Sequence, residues 1–314
     1  MAASTLTRPD GVPAPAGVTA EQAAELEARR RTQTKVRWEL LSGMVRKDLK
    51  LKYQNSALGF VWSLINPLFL LAVYVLVFDV VLKSGIPDFP VYLMAGLLLW
   101  NLFSGSVGGA TTSVVANGGL VKKVRFPLLV LPLSSVGFAL VHYVLQMMVF
   151  LVVVLVLSPH SLGLHTLVLV PGVVLTLTFS TALALFVSAL NVRYRDIGHL
   201  LELLLFAWFW ATATIYASGL VTTAVRGPVA IPRNAVYVRL FFADPMATAV
   251  ALLHRAFAVD PRATTIGSPA PVLPASAWLW YVEQWAVCMA ISLVLLWLGV
   301  RMFRKRQADF AEEL

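Results

Sequence analysis

Residues that could carry out catalysis are few in this 314-residue chain, and they lie far apart. An enzyme that uses a metal or a general base needs carboxylates close together. The acidic residues within and between the apolar stretches instead occur singly: Asp79, Asp88, Asp196, Glu202, Asp244, Asp260 and Glu283. No G-x-x-x-x-G-K-[ST] phosphate loop occurs, so the chain cannot bind and hydrolyse ATP by that route. Any energy from ATP must therefore come from a partner.

The basic residues, in contrast, are clustered. Four clusters lie at 29–52, 122–125, 193–195 and 301–306. The exception is the long segment from about 222 to 280, which escapes the charge rule for short loops and holds Arg226, Arg233, Arg239, Arg255 and Arg262. Of all residues, 59% are hydrophobic and 13% are charged, and the mean hydropathy is +0.78. Soluble globular proteins have about 25% charged residues. The sequence therefore indicates an integral membrane protein.

Six segments are apolar enough to cross a bilayer, for which a helix needs about 20 residues. They lie near 57–82, 91–115, 128–157, 166–190, 203–221 and 281–302. We therefore predict an all-α integral membrane fold with six transmembrane helices in a domain over 57–302.

The positions of Lys and Arg predict how these spans are oriented. Six spans place both termini on one side, and the four basic clusters fall in segments on that same side. Because cytoplasmic loops carry the excess of Lys and Arg, we expect a plasma-membrane protein with both termini in the cytoplasm. Topology and contact with an anionic inner leaflet then account for the net charge of +9, without nucleic acid as a partner.

The region before the first span divides into two parts. Residues 1–33 are polar and rich in Ala and Pro, and we expect a disordered cytoplasmic tail. From 34 to 55, apolar residues recur at steps of three and four: Trp38, Leu41, Val45 and Leu49. This spacing predicts an amphipathic helix in the inner membrane interface, with its basic side chains toward headgroups or a partner. A passive anchor and a partner-binding helix both fit the pattern.

The external segment from about 222 to 280 contains a helix signal of its own. Asp244 is a suitable N-cap, Pro245 suits the first helical position, and apolar residues follow as far as His254. The stretch is too short to cross the membrane, so we expect a short re-entrant helix before the last span. Residues 303–314 are expected to form a cytoplasmic tail.

Three motifs stand at characteristic places relative to the spans. They are LKYQNSALGFVW at 51–62, NGGLVKKVRFPLLVLP at 117–132 and NVRYRDI at 191–197. With DFAEE at 309–313, they closely resemble the ABC-2 type permeases that export O-antigen, capsule, teichoic acid and galactan. The resemblance runs from about residue 36 to the C-terminal residues and implies an ABC-2, type V exporter-like half-transporter. Relatives often carry a Pro near the outer end of span five, where this chain has 212–216 as TATIY.

The resemblance also implies partners. The permease would form a homodimer with two copies of a separate ATP-binding cassette ATPase, which would bind ATP and Mg²⁺. This chain would hold no cofactor of its own. The ATPase would act on the turn between spans two and three and on the amphipathic helix. The expected coupling residues are Lys122, Lys123, Arg125, Phe126, Arg46 and Lys50.

A polysaccharide path should be uncharged and lined by aromatic rings that contact the C–H faces of sugars. The candidates in spans one, two and five are Trp62, Tyr74, Phe78, Tyr92, Trp100, Phe103, Phe206, Trp210 and Tyr216. The alternative is that these residues face lipid or belong to the aromatic belts at the membrane interfaces.

A few polar groups also bear on transport. Arg193 and Arg195 could receive the diphosphate of a polyprenyl carrier at the inner leaflet, or they could simply determine topology. His142 and Gln146 lie one turn apart on span three, and Asn66-Pro67 predicts a kink in span one. Hydrogen bonding between helices explains these intramembrane groups adequately.

The cargo is implied by resemblance alone. The chain is most similar to galactan exporters of the mycobacterial type, so the expected cargo is a polyprenyl-diphosphate-linked galactan for the cell wall. An ABC-2 exporter of a small lipid or drug shares the fold and stays an alternative. A membrane-embedded glycan transferase acting on the same carrier is another, although the scattered carboxylates argue against it.

Overall fold

The computed structural model describes residues 20–54, 59, 61–81, 83, 86–123, 126–224, 234–257, 272–274 and 277–314. The regular structure in these ranges is entirely helical. The α-helices are α1 (Ala20–Tyr53), α2 (Val61–Tyr74), α3 (Phe89–Ala116), α4 (Gly118–Lys123), α5 (Val130–Leu157), α6 (Leu169–Arg193), α7 (Ile197–Ala211), α8 (Ser218–Ala224), α9 (Asn234–Phe242), α10 (Pro245–Phe257), α11 (Trp278–Arg306) and α12 (Phe310–Glu313).

Four helices are long and apolar enough to cross a membrane: α3, α5, α6 with the turn before it, and α11. They correspond to the predicted spans two, three, four and six. The first and fifth predicted spans contain shorter apolar helices, Pro67–Val81 and Ile197–Ala211. The count of six spans therefore stays a prediction, with four members matched by helices of full length.

Helix α3 lies at the centre of the bundle and contacts α5, α6, α7 and α10. Its residues from Val91 to Trp100 are all buried. Close approach of helices elsewhere in the bundle depends on small residues, as in other membrane proteins. A Cβ atom at Gly299 of α11 would lie 2.9 Å from the carbonyl oxygen of Ala182 in α6, so only glycine permits this crossing.

Helix α2 lies at the edge of the bundle and is irregular. Pro67 stands inside it, and from Val75 to Val81 the backbone continues as π-helix. Helix α2 continues through Pro67 without a break, so the kink predicted at Asn66-Pro67 stays a prediction. Just before this helix, residues 55–58 and 60 lie outside the described residues, and Gly59 adopts a φ of +48°, a left-handed value that favours glycine.

The fifth predicted span, 203–221, is broken. Helix α7 begins earlier, at Ile197, and ends at Ala211; after a non-helical stretch, α8 begins at Ser218. The Thr212 hydroxyl donates to the carbonyl oxygen of Phe209, and Ala213 has a φ of +53°. Side chains that bond to the nearby backbone compete with helix continuation, and a positive φ ends it. The break falls in the TATIY segment at 212–216.

The predicted short helix after Asp244 is confirmed as α10. An Asp244 carboxylate oxygen accepts a hydrogen bond from the Met246 backbone N–H at 3.0 Å, which is the capping contact expected from the sequence. A bend of 82° separates α9 from α10. Every residue of α10 is buried, so this helix is enclosed by protein. Residues 225–233 and 258–271 of the external segment lie outside the described residues.

Both ends of the chain differ from the tails that the sequence predicted. Helix α1 begins at Ala20, so residues 20–33 of the expected disordered tail are helical, and residues 1–19 lie outside the described residues. The segment 20–33 is rich in Ala, Glu, Gln and Arg, which are good helix formers. At the other end, α11 continues to Arg306 and the short α12 follows. The Phe310 side chain in α12 is fully buried, so the end of the chain is part of the fold.

Candidate functional site

A cleft of about 1000 Å³ opens at the end of the bundle that we predict to be cytoplasmic. It lies between the part of α1 around Trp38, the turn around Phe126 that leads into α5, and the end of α11. We call it the basic cleft; its lining residues are Thr34, Arg37, Trp38, Leu41, Val121, Phe126, Pro127, Leu128, Leu129, Val130, Leu133, Arg304, Gln307 and Ala311.

Short-range hydrogen bonds hold the α4 segment and the following turn in place. The Asn117 side chain, between α3 and α4, donates to the Ser113 carbonyl oxygen at 2.7 Å. The Val130 N–H donates to the Pro127 carbonyl oxygen at 3.0 Å, which closes the turn before α5. Lys47 of α1 donates to the Asn117 side-chain oxygen at 3.4 Å. The turn is thus fixed to two long helices and is also tied to α1.

The charged residues in the cleft lining itself are basic. Arg37 and Arg304 line it, and none of its described lining residues is acidic. Exposed charges of both signs lie close to lining residues in the chain: Lys122, Lys123, Asp309, Glu312 and Glu313. Among the apolar lining residues, the Trp38 side chain is 66% exposed and Phe126 is half-buried. Arginines beside exposed aromatic groups are typical of a surface that binds a protein partner, because buried aromatic and arginine anchors carry much of the energy of protein interfaces.

The end of the chain forms one wall of the basic cleft. Phe310 packs on Phe303 of α11, with ring centroids 5.3 Å apart and the planes nearly perpendicular. These two rings belong to a core cluster with Leu131 of α5 and Leu185 of α6. This contact fixes the direction of the chain after Arg306 and so positions Gln307 and Ala311, which line the cleft.

The structure places the predicted coupling residues in three situations. Phe126 lines the basic cleft, and Lys122 and Lys123 are exposed beside it. Arg46 and Lys50 are exposed on α1 but do not line the cleft. Arg125 lies outside the described residues.

Sequence reasoning missed Arg37, Trp38 and Arg304 as cleft residues. The spacing of apolar residues places Trp38 in the apolar stripe of α1, and the sequence indicates for Arg304 only a role in topology. Within that stripe, Val45 packs against α5 close to Gly137, whereas Trp38 is exposed. Residues 34–39 of α1 are all exposed, whereas several residues of the same stripe further along the helix are half-buried, and only the structure provides this distinction.

The predicted path aromatics divide between the surface and the interior of this chain. Trp62 on α2 and Phe206 and Trp210 on α7 are exposed. Tyr74, Phe78 and Tyr216 are half-buried near the outer ends of the same two elements. The Tyr216 hydroxyl donates to the carbonyl oxygen of Trp210 at 3.0 Å, which holds the broken end of α7 together. The exposed members stay candidates for the path.

Three of the aromatic candidates are core residues instead. Trp100 is only 8% exposed, and Phe103 is fully buried and stacks on Phe179 of α6 with the ring centroids 5.7 Å apart. Tyr92 is also buried, and its hydroxyl donates to the carbonyl oxygen of Tyr216. A glycan cannot reach rings that other helices cover. We therefore assign these side chains to packing around α3.

The predicted diphosphate ligands are both exposed: Arg193 is the last residue of α6, and Arg195 lies two residues beyond it. The Arg193 guanidinium lies 5.5 Å from the centroid of the Tyr194 ring. Neither arginine lines the basic cleft. Their exposure is compatible with contact to lipid phosphate and with a simple role in topology.

Comparisons with known proteins agree with this architecture. Residues 39–222 match the family described as ABC-2 type transporter. The chain is 34% identical over 276 residues to the O-antigen export system permease protein RfbA of Myxococcus xanthus, which covers 88% of this chain and 95% of that protein. A protein of the same name from Klebsiella pneumoniae is 31% identical over 186 residues, or 59% of this chain and 71% of the relative.

The matched region runs from α1, across α2 to α7, and into α8, and it includes the Phe126 turn. The longer alignment with the Myxococcus xanthus protein covers most of the rest of the chain as well. On these grounds, the chain belongs to the ABC-2 type transporter family, among the relatives of polysaccharide export permeases.

Proposed function

We propose that this chain is the permease subunit that exports a polyprenyl-diphosphate-linked polysaccharide across the plasma membrane, driven by a separate ATPase. Two permease copies would enclose the path, and one ATPase chain would bind under each. The cargo would be a cell-wall galactan or an O-antigen-like glycan. The relatives named above are O-antigen export permeases, which supports a lipid-linked glycan over a small lipid or drug.

The basic cleft is the observation that carries this proposal. The sequence has no phosphate loop, so an energy source must act on the permease from outside. The cleft has the charge, the exposed aromatic groups and the firmly held turn that such a contact requires. Because its walls come from α1, α5 and α11, movement of a bound ATPase would be transmitted to three elements at once.

The exposed aromatic side chains on α2 and α7 support the proposal that two permease copies enclose the path. Both helices lie beside α3, and each leaves one face uncovered in the single chain. A second copy placed against these faces would enclose a path lined by Trp62, Phe206 and Trp210. Aromatic faces contact sugar rings without selecting one hydroxyl pattern, which suits the passage of a long polymer.

Removal of the aromatic groups in the basic cleft tests the coupling. We expect Phe126→Ala and Trp38→Ala each to weaken co-purification of the ATPase about tenfold or more, since central aromatic anchors contribute about 2 kcal/mol or more to an interface. Export would stop although the permease still inserts. Trp297→Ala, an equally exposed aromatic residue on α11 away from the cleft, is the matched control. Unchanged co-purification and export in both cleft variants would exclude this surface.

Depletion of the permease in cells tests the cargo. A lipid-linked glycan should accumulate on the inner side of the membrane, and its sugar composition would distinguish galactan from an O-antigen-like glycan. Accumulation of a lipid or small molecule without a glycan would favour the alternative ABC-2 exporter. Loss of glycan synthesis without accumulation would favour the transferase.

A further inference from the structure

A second, smaller cavity of about 290 Å³ lies among α1, α2, α3 and α5. This volume is close to the lower limit of small-ligand pockets, about 300 Å³. Its walls combine aromatic rings with polar groups: Lys52, Trp62, Pro67, Asn101, Leu102, Gly105, Phe138, Ala139, His142, Tyr143 and Gln146. The proposed coupling contact does not use this cavity, because the two cavities share no lining residue.

The cationic group in the cavity is Lys52, near the end of α1. Its ammonium lies 3.2 Å from Nε2 of His142 and 5.3 Å from the centroid of the Phe138 ring. Tyr53 Oη also lies 2.7 Å from the same His142 nitrogen. An ammonium can only donate, so Nε2 accepts and the ring proton of a neutral His142 is on Nδ1. Although the Lys52 side chain as a whole is exposed, partial burial lowers the pKa of the ammonium.

No described carboxylate forms an ion pair with Lys52. The cavity has no acidic lining residue among those described. One polar group of the cavity is unsatisfied: the Tyr143 side chain is 3% exposed, lines the cavity, and its hydroxyl has no hydrogen-bond partner among the described groups. Buried hydroxyl groups without a partner are uncommon in folded proteins. Among the described residues, the cavity therefore presents a positive charge and an unsatisfied hydroxyl without an anionic side chain beside them.

The position of the cavity along α5 indicates how far the Lys52 ammonium lies from the end of that helix. His142 is twelve residues after Val130, the first residue of α5, which corresponds to about 18 Å along a helix. The Lys52 ammonium is thus held beside a transmembrane helix several turns from its end. An uncompensated charge at such a place is unfavourable, and ionisable groups of this kind commonly mark a substrate pathway.

We propose that this cavity binds the phosphate group of a lipid-linked molecule, with Lys52 and Tyr143 as its ligands. Asn101 and Gln146 supply amide groups at the same walls. Trp62, which is exposed toward the open face of α2, would meet the first sugar. The assignment of this molecule as a glycan carrier rests on the proposed function, whereas the phosphate site rests on the cavity. The phosphate could come from the carrier lipid or from an ordinary anionic phospholipid.

Binding to the purified full chain tests this proposal. The protein would be held in dodecyl maltoside micelles, which carry no phosphate, and titrated with polyprenyl diphosphate. Lys52→Gln should weaken binding about tenfold or more, because hydrogen bonds to charged groups are the stronger kind. Tyr143→Phe should weaken it about threefold. The polyprenol of the same length, which lacks the phosphates, should bind at least tenfold more weakly than the diphosphate.

The controls separate charge from folding. Lys35→Gln removes the same charge from an exposed position of the same helix and should bind like the unaltered protein. Lys52→Arg keeps the charge and should bind within about threefold. If Lys52→Gln does not fold, Tyr143→Phe and Lys52→Arg still test the site. The proposal would be overturned if Tyr143→Phe and any folded Lys52→Gln protein bound polyprenyl diphosphate as tightly as the unaltered protein. It would also be overturned if the polyprenol bound as tightly as the diphosphate.

Competition identifies the source of the phosphate. If phosphatidylglycerol displaces polyprenyl diphosphate at equal concentration, the site recognises any anionic lipid headgroup; if it does not, the site recognises the carrier. Both results support phosphate binding. The outcome is also independent of the proposed function. Normal glycan export without Lys52-dependent binding would refute the site alone, and Lys52-dependent binding without glycan accumulation in depleted cells would refute the function alone.

Discussion

At one end of the bundle, the basic cleft leaves Trp38 66% exposed, whereas at the other end every residue of α10 from Pro245 to Phe257 is buried. The two regions have similar kinds of side chain, including aromatic and basic residues. In α10, Arg255 lies with its guanidinium 4.2 Å from the centroid of the Trp278 ring. In the cleft, Arg37 and Arg304 face open space.

The two regions show that one end of a helix bundle can be densely packed while the other end keeps an open surface. Helix α10 is held by Leu253, which fits against Gly172 of α6 so closely that a Cβ at Gly172 would lie 2.6 Å from its side chain. The Trp208 indole of α7 donates to the Asp244 carboxylate at 2.7 Å, which ties α7 to the start of α10. Cores of this density resist deformation. The open cleft can therefore accept a partner while the buried end keeps the helices in register.

Labelling from outside the cell gives the largest expected effect, an all-or-none result. With Cys288 replaced by Ala, cysteines at Ser42, Gly119 and Gln307 should resist an impermeant thiol reagent in intact cells, because the basic clusters predict that the cleft end is cytoplasmic. A cysteine at Ser268, in the external segment outside the described residues, should label. Permeabilised cells serve as the control, in which all four positions should react. Labelling of Gly119 in intact cells would reverse the assignment of the two ends.

Substitution of one side chain from each region should separate stability from coupling. Leu253→Ala should lower the free energy of unfolding by about 2–5 kcal/mol, because it leaves a cavity in a fully buried site. Trp38→Ala should change it by about 0.5 kcal/mol or less, because its side chain is exposed. Unfolding of both variants in detergent micelles measures this difference. Similar losses of unfolding free energy in the two variants would contradict the difference in packing between the two ends.

Loss of the hydrogen bond between Trp208 of α7 and Asp244, at the start of α10, should have a smaller effect on the free energy of unfolding. Asp244→Ala removes the cap of α10 and the acceptor for Trp208, and it should destabilise the protein by about 1–2 kcal/mol. Trp208→Phe removes the indole donor and part of the ring that packs against Phe103 and Phe179, and it should cost about 1 kcal/mol or more. The double variant should be less destabilised than the sum of the two, which a double-mutant cycle measures. Asp79→Ala, at an exposed carboxylate on α2's π-helical extension, is the control.

The smallest expected effect concerns the exposed aromatic residues of α7. Phe206→Ala and Trp210→Ala should each slow export about threefold at normal abundance, because a ring–sugar contact is worth about 0.5–1.5 kcal/mol, by analogy with aromatic pairs. Phe103→Ala should instead reduce the amount of folded protein, since Phe103 is in the core. Trp297→Ala on α11 should alter neither. Normal export by both α7 variants would assign their rings to lipid.

Strong local signals were predictable from the sequence. The apolar runs predicted the helices α3, α5, α6 and α11, because a backbone in lipid must satisfy its hydrogen bonds within a helix. Asp244 followed by Pro245 predicted the start of α10 through capping chemistry. The motifs at 51–62, 117–132 and 191–197 predicted the transporter family that the comparisons support. Each of these signals depends on residues that are close together in the chain.

Only the tertiary structure decided which apolar side chains face inward. Trp100 and Phe103 of α3 are buried, whereas Phe206 and Trp210 of α7 are exposed, although all four looked alike in sequence. Phe310 likewise joins the core from a segment that reads as a polar tail. The physical reason is that lipid and protein interior are both apolar, so a transmembrane helix carries little contrast between its inner and outer faces. Burial in such a bundle depends on which helices become neighbours, and that depends on contacts between residues far apart in the chain.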